Sequence, residues 1–354
     1  MNCIRLSACA LLFMTMLVSQ GCGLLDSSKP PKYIVQQMDD DASPKQDIMA
    51  YPTEGPFGTG VRSIIQVGTS LIAGTQDGIF ISDDGGATWS SGDEEDVPKQ
   101  KNGVLSLAVN GNEIYAATDT GIFEADTVDS PWSDISGKDR PIPSAYSLAY
   151  SDSTLFAASG DGLYKIRITP EETRIDEDSS LLQINNLQTV GADVYACTHH
   201  GLYRKKSGSN SWVKDVGMGD VNVYSVAASD QFKFASTSKG LFSQGSMEGA
   251  WHLAPAATAN VSGLLAVFHQ TLFTETSDGL RCTDLVSGLS STWRRCDEGL
   301  GNQTIETLVA VTSGLFVGTD RGVFKWNESH KKWEESIKSP GRIRPRWLIS
   351  VTRR

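Results

Sequence analysis

Short apolar runs of strand length alternate along the chain with polar clusters rich in Gly, Asp, Ser and Thr. One arrangement recurs, namely an apolar run, a Thr or Ser, two turn-forming residues, a Gly and a second apolar run. The strings LIAGTQDGIFIS, LFAASGDGLYKI and LFVGTDRGVFKW are examples. Because short apolar runs bounded by turn residues are typical of β-strands, the pattern predicts hairpins along most of the chain.

The glycine shared by these strings gives the period of the repeat. The seven copies are Gly78, Gly121, Gly162, Gly201, Gly240, Gly279 and Gly322. Successive copies lie 39 to 43 residues apart, which is the length of one propeller blade. The sequence therefore predicts an all-β fold, a seven-bladed β-propeller of four-stranded antiparallel blades over residues 61–336.

Tryptophans support this register. In five copies a Trp follows the glycine by 11 residues, at Trp89, Trp132, Trp212, Trp251 and Trp333. We expect these rings in the outer strands, where a large flat side chain fills the gap between neighbouring blades. In the sixth copy Trp293 follows its glycine by 14 residues. In the third copy the acidic stretch TPEETRIDEDSS replaces the expected outer hairpin.

The first 21 residues lie outside the predicted propeller. Arg5 precedes a short apolar run that ends in SQGC, and this stretch resembles a bacterial lipoprotein signal peptide with Cys22 as the lipidated residue. The resemblance implies a lipid anchor in the bacterial cell envelope, at the outer membrane because Gly23 follows the cysteine. An ordinary secretory signal is the alternative. Residues 22–60 would then be a tether and residues 337–354 a C-terminal tail.

The charge distribution bears on the partner. The chain has a net charge of −11, whereas residues 337–354 contain Lys and Arg without any acid. An acidic body argues against nucleic acid as a partner. The basic tail could contact an anionic lipid surface or the protein's own acidic face, or it could be a frayed end. The sequence leaves the oligomeric state open.

Three cysteines lie beyond Cys22, namely Cys197, Cys282 and Cys296. An oxidising envelope favours a disulfide. We predict the third and outer strands of the sixth blade to carry Cys282 and Cys296, where facing positions lie within disulfide reach. Two free thiols are the alternative. Cys197 lies in the strand-like run VYACT, so we expect it to be a buried free residue.

The stretch SDDGGATW, residues 82–89, is the most distinctive local motif. It resembles the Asp-box, also called the BNR repeat, at Ser82, Asp84, Gly86, Thr88 and Trp89. Asp84 can accept hydrogen bonds from backbone N–H groups of its own turn, and Gly86 can adopt a backbone geometry that other residues avoid. The resemblance implies a structural turn between a third and an outer strand, away from the functional face.

The sequence contains no recognisable catalytic set. Sialidases, the best-known Asp-box enzymes, carry an Arg-Ile-Pro string, whereas Arg62 is followed here by Ser-Ile-Ile. We expect the acids of the third copy to lie in solvated loops rather than in a pair suited to glycoside hydrolysis. His199 and His200 are adjacent turn residues without a third ligand at a recognisable spacing. We therefore predict no enzyme activity, no metal and no cofactor.

One surface is a candidate binding face. In a propeller the turns between second and third strands emerge on the same face as the blade-to-blade connections. The turn residues that would ring the channel mouth are Asp77, Thr120, Asp161, His200, Lys239, Asp278 and Arg321. A ring of mixed charge suits a protein or a polar ligand. The alternative is that these turns are simply polar.

The glycine–tryptophan register and the lipidation signal also resemble the lipid-anchored assembly and stability factors of photosystem biogenesis, which are seven-bladed Asp-box propellers. The arginine-rich face of that family is not apparent here, so the resemblance assigns no functional residue. It implies a protein partner at the envelope. We predict a lipid-anchored propeller that binds or assembles proteins. A glycan-binding or glycan-processing propeller is the alternative, and a small-ligand sensor is a third possibility.

Overall fold

Seven four-stranded antiparallel sheets follow one another along the chain, and their inner strands surround a central channel. This arrangement confirms the predicted seven-bladed β-propeller. The computed structural model describes residues 60–91, 103–137, 142, 144–169, 172–245, 249–254, 261–285 and 292–338. The signal-like stretch, Cys22, the tether up to residue 59 and residues 339–354 lie outside the described residues. Among those described, none belongs to an apolar helix of membrane-spanning length.

The strands of each blade are consecutive in sequence, from the inner to the outer edge. Blade 1 contains β1 (Val61–Val67), β2 (Ser70–Thr75), β3 (Gly78–Ser82) and β4 (Thr88–Ser91). Blade 2 contains β5 (Val104–Asn110), β6 (Glu113–Thr118), β7 (Ile122–Ala125) and β8 (Ser133–Asp134). Blade 3 contains β9 (Ala145–Ser151), β10 (Thr154–Ser159), β11 (Gly162–Ile168) and β12 (Thr173–Asp178).

The remaining four blades repeat this order. Blade 4 contains β13 (Ile184–Val190), β14 (Asp193–Thr198), β15 (Gly201–Lys205) and β16 (Val213–Lys214). Blade 5 contains β17 (Val223–Ala228), β18 (Lys233–Thr237), β19 (Gly240–Gln244) and β20 (His252–Leu253). Blade 6 contains β21 (Val261–Phe268), β22 (Thr271–Thr276), β23 (Gly279–Asp284) and β24 (Arg294–Arg295). Blade 7 contains β25 (Ile305–Val311), β26 (Gly314–Thr319), β27 (Gly322–Asn327) and β28 (Lys332–Glu335).

The ring closes at blade 1 through a strand that the sequence analysis did not foresee. After blade 7, β29 (Ile337–Lys338) pairs in parallel with β4, so that Ile337 lies opposite Thr88. Blade 1 thereby acquires a fifth strand at its outer edge. The first two residues of the predicted basic tail therefore belong to the propeller.

The hydrophobic core is divided among the seven interfaces between neighbouring blades, and each interface contains one cluster of buried side chains. The cluster between blades 7 and 1 includes Trp89, which is fully buried, together with Phe316. Trp251 and Trp333 are also buried at interfaces. Trp132, Trp212 and Trp293 pack less completely. Every repeat tryptophan thus contacts the blade before its own, as fits a side chain that fills the outer gap.

Blade 3 corrects one expectation, because its acidic stretch forms a regular outer strand instead of a loop. Strand β12 pairs with β11 along its whole length. Opposite charges pair diagonally across these strands, with Lys165 Nζ 2.5 Å from Asp178 Oδ2 and Arg167 Nη1 3.4 Å from Asp176 Oδ2. Such cross-strand pairs stabilise an exposed strand. The interface between blades 2 and 3 is filled without any Trp, by aliphatic side chains such as Ile166 and by Tyr115.

Candidate functional site

The predicted binding turns share one compact backbone arrangement. In six blades the hydroxyl of the Thr that ends the second strand donates to the carbonyl of the repeat glycine at 2.7–3.0 Å. In blade 1 the turn consists of Gln76 and Asp77, neither of which has a positive φ, whereas Gly78 begins β3 with φ 115°. The glycine alone supplies the left-handed backbone that the turn requires.

The seven predicted face residues lie at the tips of these turns, and each is exposed. The turns contact the segments that lead into the inner strands. For example, the His199 N–H donates to the Gln183 carbonyl at 3.0 Å, and the Ser238 N–H donates to the Asn222 carbonyl at 2.8 Å. The turn tips and the blade-to-blade connections are therefore on one face, as the sequence analysis expected.

Four of the turn residues have side-chain partners. Asp161 Oδ2 accepts a hydrogen bond from the Tyr164 hydroxyl at 2.8 Å, and Thr120 Oγ1 lies 3.1 Å from Thr118 Oγ1. His200 Nε2 lies 2.9 Å from Gln183 Oε1, and its Nδ1 lies 3.3 Å from Asp220 Oδ1. Asp278 accepts a hydrogen bond from Arg281, whose guanidinium lowers the pKa of Asp278 to about 2. Within the described residues no group of three or more His, Cys, Asp or Glu side chains could hold a metal ion. The turn ring therefore carries charged and hydrogen-bonding groups at exposed positions.

A second ring of side chains lies inside the first, and sequence reasoning missed it. Every inner strand has an irregularity after its first residue. In six blades one extra residue interrupts the pairing with the second strand, and in blade 6 residues 262–264 lie opposite Glu275. Bulges of this kind redirect a side chain and are common at the rims of barrels and sites. The bulged residues with described side chains are Arg62, Leu105, Tyr146, Asn185, Tyr224 and Glu306. The two rings together are called the mouth face below.

Four of the six bulged residues line the central channel. The channel has a volume of about 620 Å³ and is lined by the inner strands, including Arg62, Leu105, Tyr146 and Glu306. Tyr146 is 36% exposed although its hydroxyl donates to the Ile184 carbonyl at 2.6 Å. The volume lies in the range of small-molecule sites, which combine apolar walls with a few polar groups. The mouth face can therefore receive a side chain or a chain terminus of a partner.

Serine side chains join the inner strands below the mouth. The Ser63 hydroxyl accepts the N–H of Leu107 at 3.1 Å, and Ser106 accepts the N–H of Leu148 at 3.0 Å. Ser147 and Ser225 repeat this contact with the blades that follow them. Each such bond satisfies a backbone N–H of an inner strand, which is an edge strand of its sheet. The sequence signal was the third residue of the inner strand, which is Ser in four copies.

Blade 6 departs from this plan. At the position before the turn Thr it has Glu275, whereas the other blades have small residues, namely Gly74, Ala117, Ala158, Cys197, Ser236 and Gly318. Glu275 Oε2 accepts the Leu264 N–H at 3.3 Å. A Cβ on Gly263 would lie only 2.1 Å from that oxygen, so the glycine makes room for the carboxylate. Burial, and secondarily the nearby charge of Glu306, raises the pKa of Glu275.

The SDDGGATW turn lies at the opposite end of β3, away from the mouth face, and its polar side chains bond one another. Asp84 accepts the Thr88 N–H at 2.9 Å and the Thr88 hydroxyl at 2.6 Å, and it accepts the Ser82 hydroxyl at 2.8 Å. Although burial opposes ionisation, these hydrogen bonds keep the pKa of Asp84 below its usual value. Gly86 has φ 86°, and a Cβ there would lie 2.4 Å from Phe316 of blade 7.

The three cysteines among the described residues are buried. Cys282 and Cys296 form a disulfide with a Cα–Cα distance of 5.8 Å. Cys282 lies in β23, but Cys296 lies one residue past β24, and the strand partner of Cys282 is Arg294. The disulfide therefore joins diagonal rather than directly facing positions. It is buried between blades 6 and 7, where the Trp333 indole donates to the Cys296 carbonyl at 2.7 Å. Cys197 is free, and burial raises the pKa of its thiol.

Comparison with known proteins gives a family and a fold. Residues 99–338 match the family described as HVO_0234-like, beta propeller. No curated protein matches the sequence significantly. Among solved structures, the extracellular domain of the BT4673 one component system from B. thetaiotaomicron is similar at 16% identity with a TM-score of 0.59, over 76% of this chain and 39% of that one. This chain therefore spans about two fifths of that relative.

Two further structures show the same fold. YCF48 bound to D1 peptide is similar at 14% identity with a TM-score of 0.59, and the match covers 80% of this chain and 96% of YCF48. An ancestral GH74 enzyme is similar at 14% identity with a TM-score of 0.58, over 80% of this chain and 46% of the enzyme. At these identities the likeness extends to the fold alone. One of these relatives holds a peptide and another is an enzyme, so the fold by itself does not identify a function.

Proposed function

The chain belongs to the HVO_0234-like β-propeller family, and we propose that it is a binding propeller that receives a protein partner on its mouth face. The observation that carries this proposal is the pair of concentric rings around the channel mouth. The outer ring consists of exposed turn tips held by hydrogen-bonded backbones. The inner ring consists of bulged residues redirected from the inner strands. Rigid turns that present varied side chains are a common basis of recognition.

The composition of the inner ring favours a protein surface over a uniformly charged ligand. Arg62 and Glu306 are of opposite charge on neighbouring blades, and Tyr146 and Tyr224 add aromatic surface. Tyrosine and arginine are enriched where protein interfaces concentrate their binding energy. The peptide-bound YCF48 structure, which has the same fold, is consistent with this use of a propeller. We do not assign a catalytic role to any residue of the mouth face.

We further propose that the protein works at the bacterial cell envelope, at the outer membrane, held by a lipid on Cys22. The support is the SQGC string after a short apolar run. Cys22→Ser should leave an unprocessed precursor that incorporates no palmitate. Labelled palmitate in that variant would contradict the anchor, and it would leave the binding proposal untouched.

The binding proposal is tested by copurification from cells with quantitative mass spectrometry. The double variant Arg62→Ala/Glu306→Ala removes one cation and one anion from the mouth. The control Arg294→Ala/Glu334→Ala removes one of each from exposed outer strands of blades 6 and 7. We expect one envelope protein to be lost from the mouth variant and retained by the control. Equal recovery from both variants would contradict binding at the mouth.

A glycan is the second candidate because the mouth contains an exposed aromatic ring, that of Tyr146, beside a ligand-sized channel. A panel of envelope glycans offered to the purified protein distinguishes the two candidates. Saturable glycan binding that Tyr146→Ala abolishes would favour the second. Turnover of a glycan that Glu306→Gln abolishes would show an enzyme and would overturn the proposal of a binding propeller.

A further inference from the structure

A groove on the outer rim, between blades 4 and 5, has features that the mouth face does not explain. Its volume is about 370 Å³. The outer hairpin of blade 4 forms one wall with Val213, Lys214 and Val216, and Gln244 with Trp251 of blade 5 forms the other. The groove lies at the periphery of the ring, whereas the mouth face surrounds the inner strands. The two surfaces can therefore be tested separately.

The side-chain carbonyl oxygen of Gln244 lacks a hydrogen-bond donor. Gln244 is 5% exposed and lines the groove. Its Nε2 donates to the Gly249 carbonyl, but its buried Oε1 has no hydrogen-bond partner. A buried carbonyl oxygen without a donor costs free energy, and such groups in native proteins usually meet water or a ligand. An occupant that presents an N–H group at this point would satisfy the oxygen.

The charge of the groove favours an acidic occupant. Arg204, Lys206 and Lys214 line it, and the acid among its lining residues is Asp215. Asp215 is already engaged, since its Oδ2 accepts the Trp251 indole N–H at 3.1 Å. Lys214 is 41% exposed and lies 4.0 Å from Asp220 Oδ1, at the limit of an ion pair. Arg204 is already paired, since its Nε lies 3.5 Å from Asp193 Oδ2. Lys214 is therefore the cation that a carboxylate in the groove would meet.

The apolar surface at the same place favours an extended chain with alternating side chains. Val213 is 61% exposed and Val216 is 77% exposed, and both line the groove. The outer strand β16 has only two residues, and within the described residues no strand pairs with its outer edge. Blade 1 shows that a blade of this propeller can accept a further strand, because β29 occupies the equivalent edge there. Extended peptides bind exposed sheet edges in this way.

We propose that this groove binds an extended acidic segment of a partner protein. A backbone N–H of the segment donates to Gln244 Oε1, a carboxylate lies against Lys214, and an apolar side chain covers Val213 and Val216. The site uses residues other than those of the mouth face, although Asp220 Oδ1 lies near both Lys214 Nζ, at 4.0 Å, and His200 Nδ1, at 3.3 Å. A partner could therefore contact the propeller at two places, or two partners could bind at once.

The test uses the intact protein and two capped peptides, TVDVE and its neutral counterpart TVNVQ. The indole N–H resonance of Trp251, assigned with a Trp251→Phe variant, reports on the groove during an NMR titration. We expect TVDVE to shift this resonance in a saturable manner. We expect TVNVQ to bind roughly two- to fivefold more weakly, the loss typical of an exposed charge pair.

Two variants separate the contribution of the Lys214 charge from that of the hydrogen bond to Gln244. Lys214→Gln should weaken binding of TVDVE roughly two- to fivefold. Lys332→Gln is the matched control, because Lys332 also lies in an outer strand, is 42% exposed and lies 3.7 Å from an acid, Glu334. It should leave the affinity unchanged. Gln244→Leu should weaken both peptides roughly two- to tenfold, since both use the backbone N–H. Unchanged resonances of the other tryptophans show that each variant is folded.

Several results would overturn the proposal. One is the absence of a saturable Trp251 shift at millimolar TVDVE, and another is equal affinity for the two peptides in the wild-type protein. A Trp251 shift that depends on protein concentration without peptide would assign the groove to a second copy of the chain. Tighter binding by the peptide YIVQQMDDD, residues 33–41, than by TVDVE would assign it to this chain's own acidic segment. None of these results would affect the proposal for the mouth face.

Discussion

The SDDGGATW turn and the mouth face lie at opposite ends of the blades. The polar side chains of the turn bond one another, whereas those of the mouth face are exposed at the turn tips. In the turn, Ser82, Asp84 and Thr88 bond one another, and Trp89 is fully buried against blade 7. At the mouth, the turn tips are exposed and four of the bulged residues line a channel. The most distinctive motif in the sequence is therefore scaffold, while the candidate site consists of residues without any motif. Changes in the turn should alter stability, and changes at the mouth should alter binding.

The largest expected effect is a loss of stability when Trp89, in the SDDGGATW turn, is replaced. Trp89→Ala should lower the free energy of unfolding by about 3–5 kcal/mol, because it leaves a cavity at the interface between blades 7 and 1. Trp132→Ala is the matched control, and since Trp132 is only half-buried its cost should be smaller. Urea unfolding measures both. Partner binding by the folded fraction should be unchanged, and selective loss of binding without loss of stability would make the turn part of a site.

The disulfide is the next largest scaffold contribution. Replacing Cys282 and Cys296 together by Ala should cost about 3 kcal/mol, since the short closed loop restricts the unfolded chain. Peptide mapping of the protein without reductant should give a linked Cys282–Cys296 peptide. Cys197 should be alkylated only after unfolding, because it is buried. Ready alkylation of Cys282 and Cys296 in the native, unreduced protein would contradict the bond.

A smaller effect is expected at Asp84. Asp84→Ala should cost about 1–2 kcal/mol through lost hydrogen bonds. Because the pKa of Asp84 is lowered in the fold, its contribution is complete above the unfolded pKa and is lost as the pH falls through the folded value. Denaturant unfolding of wild type and Asp84→Asn should therefore differ at neutral pH and converge in acid. A difference that persists unchanged in acid would assign the effect to packing rather than to the carboxylate.

The smallest stability effect is expected at Glu275, with the opposite sign. Its pKa is raised in the fold, so its contribution is present below the unfolded pKa and is lost as the pH rises through the folded value. Glu275→Gln should gain stability relative to wild type as the pH rises across that window. The same unfolding series measures it. A parallel pH dependence of the two proteins would mean that burial does not disfavour this carboxylate.

The structure also shows which features the sequence could predict and which it could not. The repeat glycines predicted seven blades because each ends the turn between the second and third strands, and in six blades a Thr hydroxyl bonds the glycine carbonyl there. The inner ring was missed because a bulge leaves no composition signature, as the differing residues Arg62, Leu105 and Tyr146 show. The outer strand of blade 3 was missed because its acids resemble a loop until Lys165 and Arg167 pair with them diagonally across the sheet.

The sequence alone also did not show that Glu275 occupies a position at which the other six blades have a small residue. The position becomes meaningful only once the strands are aligned, and the role of Gly263 depends on a contact across two strands. Likewise β29 could not be foreseen, because two residues paired in parallel with a distant strand carry no periodicity. Local turn chemistry was thus predictable, whereas features created by pairing between strands were not.

Photocrosslinking in living cells tests the central claim most directly. A benzoylphenylalanine placed at Thr120 lies at the mouth face, and one placed at Asn112 lies at the other end of the same blade, between β5 and β6. Both positions are exposed. If a protein binds the mouth, Thr120 should give a discrete adduct with an envelope protein and Asn112 should not. The same adduct from both positions, or from Asn112 alone, would contradict the assignment of the mouth face as the binding surface.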